Sequence, residues 1–411
     1  MPASPTGPEL PEPRGAVSEA ILAAVRRAPG MCEVPLVDVA DPLADDDLHL
    51  ALYCCYELHY RGFDGVDPGW EWDPHLLAAR QALERPFEAA VRAAVPYDPV
   101  EPGGVEAALR AVVDDDSGPS LSRTIERRAG IDQVREFLVH RSAYQLKEAD
   151  PHSWAVPRLS GRPKEALVEV QADEYGGGRP GRMHATLFAK AMQALGLDDR
   201  YGAYLDRIPG PTLATVNLMS LFGLHRRLRG AIVGHLAAFE MTSSEPNGRY
   251  ARGLRRLGAG DDATEFFDEH VEADALHEAV AAHDLAGGLA RCEPEIAPDI
   301  LLGARALMLL EARFAAALLQ AWGAGRSSLR APSTHVSRRR RAGDGGARRR
   351  GSRRPRPGTG PAGGSRRRTA AAGTGRTGRG PPSGGQGRSR ARPRRGGRTI
   401  RARQVGRRGT A

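Results

Sequence analysis

The segment FFDEHVEADALHE, residues 266–278, spaces His270, Asp274 and His277 by four and then three residues. On a helix those spacings stack the three side chains on one face. Two imidazoles and a carboxylate stacked in this way can coordinate a metal. The competing reading is a solvated polar face beside an apolar stripe of Phe266, Phe267 and Leu276, with Glu269, Glu272 and Glu278 outward. Spacing alone leaves the two even. A carboxylate-bridged dinuclear site in a helical bundle needs about four to six inward Glu, Asp and His side chains from several helices. The sequence offers such a set. Glu148 lies in HRSAYQLKEADPHSW, residues 140–154, and Glu240 ends the apolar run AIVGHLAAFE, residues 231–240. Glu174 and His184 flank a glycine break in VEVQADEYGGGRPGRMH, residues 168–184.

The elements that must carry these residues read as helices almost throughout. The chain is rich in Ala and Leu, low in aromatics, and poor in alternating β-branched runs. Helical spacing predicts helices over 18–27, 45–60 and 75–95, a turn-rich loop over 62–74, and a short helix within 99–118. Further on it predicts helices over 131–150, 163–174, 182–195, 212–224, 226–242, 262–283 and 298–322. A continuous helix would rotate His184 by roughly 80° from Glu174. The triplet Gly176–Gly178 and Pro180 therefore argue for a break that swings His184 back, or that forms a flap over a substrate entrance. His140 and Tyr144 precede Glu148 on one face and are candidates to line a substrate cavity; packing in the core is the equal alternative. His152, four residues after Glu148, falls beyond Pro151 and reads as a capping or surface histidine. His235 reads as packing or solvent-facing. Trp70, Trp72, Cys54 and Cys55 suggest no chemistry.

Of the 411 residues, the 75 from Ser337 hold 25 Arg and one acidic residue, whereas the preceding 336 hold 34 basic against 49 acidic residues. The body is acidic and the net charge of +9 comes from the tail. The Arg/Gly/Pro-rich segment 331–411 lacks the apolar residues for a core, so disorder is expected, as for the Pro-rich residues 1–15. The tail is either an arm that binds nucleic acid electrostatically or an out-of-frame translation of GC-rich DNA. Its abrupt onset and its lack of stacking aromatics favour the latter. The four cysteines match no zinc spacing, and the N-terminus carries no basic and apolar signal regions. A reduced cytoplasmic protein is expected. The apolar stretch 300–322 contains Arg305, Glu311 and Arg313 and reads as a buried bundle helix, not a membrane span.

The stretch KEADPHSWAVPRLSGRPKEALVEVQADEYGGGRPGRMH, followed by FFDEHVEADALHE, resembles the haem-oxygenase-like diiron proteins, the iron-containing redox enzymes. The likeness covers roughly residues 120–325, with a weaker echo in YELHYRGF, residues 56–63, where Glu57 and His59 take no assigned role. The resemblance implies an all-α haem-oxygenase-like bundle over 120–330, preceded by a helical extension over 16–119. It implies metal ligands at Glu148, Glu174, His184, Glu240, Asp274 and His277, and its ten-residue Glu–His spacing prefers Glu174 to the rival Glu169. His270 stands apart: it ligates, hydrogen-bonds a ligand, or lines the pocket. The implied cofactor is two iron ions, with manganese as the alternative and no haem. The implied activity is oxidation of an amine, amino acid or fatty acid by dioxygen, with an external electron donor and a homodimer as further expectations. Carboxylate and imidazole donors without thiolate suit Fe(II) or Mn(II) better than structural zinc or copper. Four carboxylates would balance two divalent cations in a buried site. The readings from other classes are a metal-free binding protein of the same fold and a nucleic-acid-associated protein acting through the tail.

Overall fold

The computed structural model describes residues 7–35, 39–115 and 118–331, without the side chains of 272–276. Those residues belong to one unit, 1–348, whereas the second unit, 349–411, and the rest of the tail with its expected disorder lie outside the described residues. The described chain is all-α, in agreement with the expected helical bundle. In order the helices are α1 (Ala16–Val25), α2 (Asp46–Glu57), α3 (Pro74–Ala94), α4 (Val105–Asp114), α5 (Leu121–Arg127), α6 (Ile131–Gln145) and α7 (Asp150–Ser153). They continue as α8 (Gly161–Glu174), α9 (His184–Ala194), α10 (Gly210–Leu224), α11 (Arg229–Arg256), α12 (Asp261–Ala279), α13 (Gly288–Cys292) and α14 (Ala297–Gly323). No described helix is long and apolar enough to cross a membrane.

Local chemistry explains where several helices start. Asp45 caps α2, its carboxylate accepting from the amides of Asp47 and Leu48 at 3.0 and 2.8 Å. Asp73 does the same for α3, where Pro74 takes a first-turn position that needs no amide donor. The centre of the bundle is α11, packed along α14 and α12. Two glycines let α11 and α14 approach closely. A Cβ at Gly234 would fall on the Ile300 carbonyl, and one at Gly303 on the Ala231 carbonyl. α10 is almost wholly buried and lies between α2 and α14.

Three expectations need correction. The helix expected over 131–150 ends at Gln145, and Glu148 sits on a turn before α7. The helix expected to end at 242 runs on through Pro246 to Arg256. Proline costs a helix interior about 3 kcal/mol, but Ala251, Gly253 and Leu254 beyond it are buried, with α11 packed on α5 and α12. Residues 7–15 are docked rather than disordered: Pro8 accepts from the Asp64 amide at 2.9 Å, and Arg14 donates to the Leu205 carbonyl at 2.7 Å.

Candidate metal centre

The ligand candidates are delivered from five places in the fold. Glu148 rides the turn between α6 and α7. Glu174 is the last residue of α8 and His184 the first of α9. Between them the chain reverses tightly: Gly176 has φ +76°, and a Cβ there would meet the backbone of Arg182 and Met183. That reversal brings His184 Nδ1 to 2.9 Å from Glu174 Oε2. Arg182 ties the loop to α12 through Glu265, at 2.8 Å, and Glu269. Glu240 comes from the buried part of α11, and His270 and His277 come from α12. Beyond His277 the backbone turns π-helical over Val280–Gly287, a distortion common near functional sites.

These residues form two sets that share one member. Glu148, Glu174, His184 and His270 each offer a donor atom, all within 4.8 Å of one another, and Glu174, Glu240 and His277 do likewise. Every residue of both sets is buried. His270 Nε2 lies 3.6 Å from Glu148 Oε1, and His277 Nδ1 lies 3.5 Å from Glu240 Oε2. His270 Nδ1 contacts the Phe266 carbonyl at 2.7 Å. A carbonyl only accepts, so the ring proton sits on Nδ1 and Nε2 points at the carboxylates. The Asp274 side chain lies outside the described residues. His270 and His277, seven residues apart on one helix face, thus serve different sets.

Without a metal this cluster balances its charges only by taking up protons. Burial pushes the Glu148 carboxyl above its ordinary range, against the pull of His270. Burial also opposes the charge on Glu174, but His184, then His270 and His277, outweigh it and hold Glu174 at about 2. Burial works against a charged His277, yet Glu240 and Asp173 raise it to about 9. His184 is raised in the same way by Glu174. The carboxylates demand positive charge close by, from protons on the imidazoles or from a cation. Glu148 Oε2 is buried without a hydrogen-bond partner, which is costly unless something else meets it. A first-row ion with bonds of about 2.0–2.2 Å would draw the donors inward only slightly.

A cavity of about 360 Å³ opens onto the first set, with Glu148 and His270 in its wall. Phe137, Phe188, Phe239 and Phe266 line it, together with a bidentate Arg141–Glu311 pair at 2.8 and 2.6 Å. Of the two equal readings of His140, cavity lining and core packing, the structure bears out packing. His140 is buried against Thr212 Oγ1 at 2.8 Å and Ser328 Oγ at 3.0 Å, tying α6 to α10 and to residues after α14. Tyr144 borders a smaller void beside Glu148, Glu174 and Glu240. Burial, then those carboxylates, push its phenol well above the ordinary value. His152 is not on the surface: it is buried, and its Nε2 meets His235 Nδ1 at 3.1 Å. Glu169 pairs with Arg162 at 3.9 Å and is half exposed, away from both sets.

Some residues around the centre gave no sequence signal. His277 Nε2 lies 3.1 Å from Asp173 Oδ2, which fixes the ring from outside. Gln171 donates to the Ala149 carbonyl at 2.7 Å, and Gln145 lies 3.4 Å from Glu148 Oε1. Their roles come from tertiary placement, and only the proximity of Asp173 to Glu174 in the chain hinted at one.

Comparison with known proteins bears on the same segment. A stretch of 171 residues, 41% of the chain, is 26% identical to a nitrosourea synthase of Streptomyces achromogenes subsp. streptozoticus. That match spans 36% of the relative's length, so the chain covers about a third of it. Residues 135–312 match the profile of the iron-containing redox enzymes, a range that takes in every residue of both donor sets. By that match, residues 135–312 are similar to the iron-containing redox enzymes.

Proposed function

We propose that this protein is a non-haem diiron oxidoreductase that uses dioxygen to oxidise a small organic substrate. Glu148, Glu174, His184 and His270 would hold one iron, and Glu174, Glu240 and His277 the other, with Asp274 completing the second set as the family resemblance implies. His270 counts here as a ligand because its Nδ1 is committed to the Phe266 carbonyl. The observation that carries the reading is the sharing of Glu174 between two buried donor sets. A carboxylate common to both is what a bridged pair of metals requires. Imidazole and carboxylate donors suit iron or manganese bound directly by side chains.

Iron bound here would supply the electrons and the binding of dioxygen. The chain's own residues do the rest. Phe188, Phe239 and Phe266 give the cavity a dry wall beside Glu148 and His270. Arg141 and Glu311 put a fixed charge pair in the same cavity. An amine, amino acid or fatty acid would present its polar end to that pair and its apolar part to the rings. Reducing equivalents would come from an external donor.

Loading the full chain with Fe(II) under anaerobic conditions should give about two iron ions per chain. Admitting dioxygen with a panel of amines, amino acids and fatty acids should then give substrate-dependent dioxygen uptake. Protein that takes up no iron after such loading would sink the reading and leave a binding protein with a vestigial site.

A further inference from the structure

Glu148 has a neighbour that points the other way. The side chain of Lys147 is 1% exposed, and its ammonium donates to Glu57 Oε2 at 2.9 Å. The same ammonium stands 4.2 Å from the centre of the Tyr60 ring and 4.9 Å from that of Tyr53. Tyr201 donates to the same Glu57 oxygen at 2.6 Å. A buried ion pair is a poor source of net stability, because desolvation offsets the attraction. It is a good way to fix a direction.

The turn that carries Lys147 and Glu148 needs fixing. Helical bonding in α6 stops at Gln145, and the Glu148 amide reaches the Gln145 carbonyl only at 3.4 Å. Ala149 has φ +76°, the one positive value at a non-glycine among the described residues. Outside contacts hold the turn on both sides. Arg61 donates to the Leu146 carbonyl at 3.0 Å, and Gln171 donates to the Ala149 carbonyl at 2.7 Å. Lys147 is clamped between these two points. Glu148 is left with Oε2 unpartnered, beside His270 and Glu174.

We propose that Lys147 and Glu57 are positioning residues for the metal centre: their ion pair locks the turn Leu146–Ala149 so that Glu148 presents its carboxylate to His270 and Glu174. The inference rests on the reading of Glu148 as a ligand. It gives the N-terminal helices a function, since Glu57 ends α2 and Arg61 follows it. Glu57 bonds Lys147, Tyr201 and the Arg61 amide, so the pair reaches the centre through the turn.

The experiment uses the full chain and Co(II) alone as the probe, added anaerobically and followed by its visible absorption. Lys147→Met keeps the apolar stem and removes the charge. It should weaken binding at the Glu148 set by about tenfold or more, while the Glu174–Glu240–His277 set keeps its affinity. In the metal-free variant, amide exchange over residues 146–150 should quicken, and exchange in α11 should not change. Glu57→Gln should act in the same direction, and it decides the matter if Lys147→Met does not fold. Wild-type Co(II) affinity at both sets in these variants would overturn the inference, however far their melting temperatures fell. A wild-type chain that binds no Co(II) would overturn the metal reading and the inference with it. Two bound ions in the wild type with unaltered variants would overturn the inference alone.

Discussion

Two buried clusters of charge flank the turn Leu146–Ala149, and they are built on opposite plans. On one side Glu57 faces Lys147, with Tyr201 and the Arg61 amide, at 3.3 Å, completing its hydrogen bonds. One negative group meets one positive group. On the other side Glu148, Glu174 and Glu240 crowd together with three imidazoles, and Glu148 Oε2 has no hydrogen-bond partner. The first cluster is closed by the protein's own charges. The second is closed only by protons on its imidazoles and on Glu148 unless a cation takes their place, because like charges at such separations are kept only where something offsets their cost. Burial is common to both; protons that a cation could replace distinguish the second.

The largest test of this contrast is at the shared carboxylate. Glu174→Ala should abolish binding of both ions, because both sets use it. Glu148→Ala should remove one. Iron per chain after anaerobic loading and gel filtration checks both, and a Glu174→Ala protein that still holds an ion would break the idea of a shared bridge. On the closed side the effect should appear in stability. Glu57→Ala leaves the Lys147 ammonium buried without its carboxylate, and such a loss costs about 3–5 kcal/mol. Urea denaturation of the metal-free protein measures it, and a loss under about 1 kcal/mol would mean that the pair is not closed in this sense.

The histidines sharpen the same contrast through pH. Burial holds His140 neutral, lowered to about 3, and does the same for His49 and His152, each lowered to about 4. Below the ordinary pKa of about 6.5 the unfolded chain gains protons that these rings refuse. Their contribution is therefore complete above that pH and is lost as pH falls towards 4, at about 1.4 kcal/mol per pH unit for each ring. His277 in the metal-free protein has the opposite sign. Raised to about 9 by Glu240 and Asp173 against burial, it contributes fully below its unfolded pKa and loses that contribution as pH rises through 9. Melting temperatures of metal-free protein should fall on the acid side of pH 6.5, and a flat profile from pH 7 to pH 5 would count against the neutral rings.

How much of this was legible in the chain depends on distance along it. The helices were, because apolar periodicity is local, and so was the break before His184, though the glycine triplet left open whether it returns His184 or forms a flap. The donor types were legible from their chemistry and from the family resemblance. The turn at Glu148 was not: nothing in QLKEADP announces that Ala149 takes a positive φ, a choice imposed by partners as distant as Arg61 and Gln171. The choice between the two readings of His140 was not legible for the same reason. His140 lies one turn before Tyr144 on α6, but its partners are Thr212 and Ser328, more than seventy residues away. His270 stayed ambiguous in sequence because its assignment turns on which ring nitrogen meets the Phe266 carbonyl.

The smallest expected effect is the most discriminating, because one kind of substitution should behave differently on the two sides of the turn. Glu57→Gln weakens a satisfied ion pair and should destabilise the metal-free protein. Glu148→Gln replaces a carboxyl that burial already disfavours as an anion with a neutral group of the same shape. Its metal-free stability should stay within about 1 kcal/mol of wild type. Metal should then separate them. An ion at one hundred times its dissociation constant adds about 2.7 kcal/mol to the wild type, and Glu148→Gln should lose most of the gain due to its own set. A Glu148→Gln protein markedly less stable than wild type without metal would show that the carboxylate is held by protein contacts, and that the two clusters are alike after all.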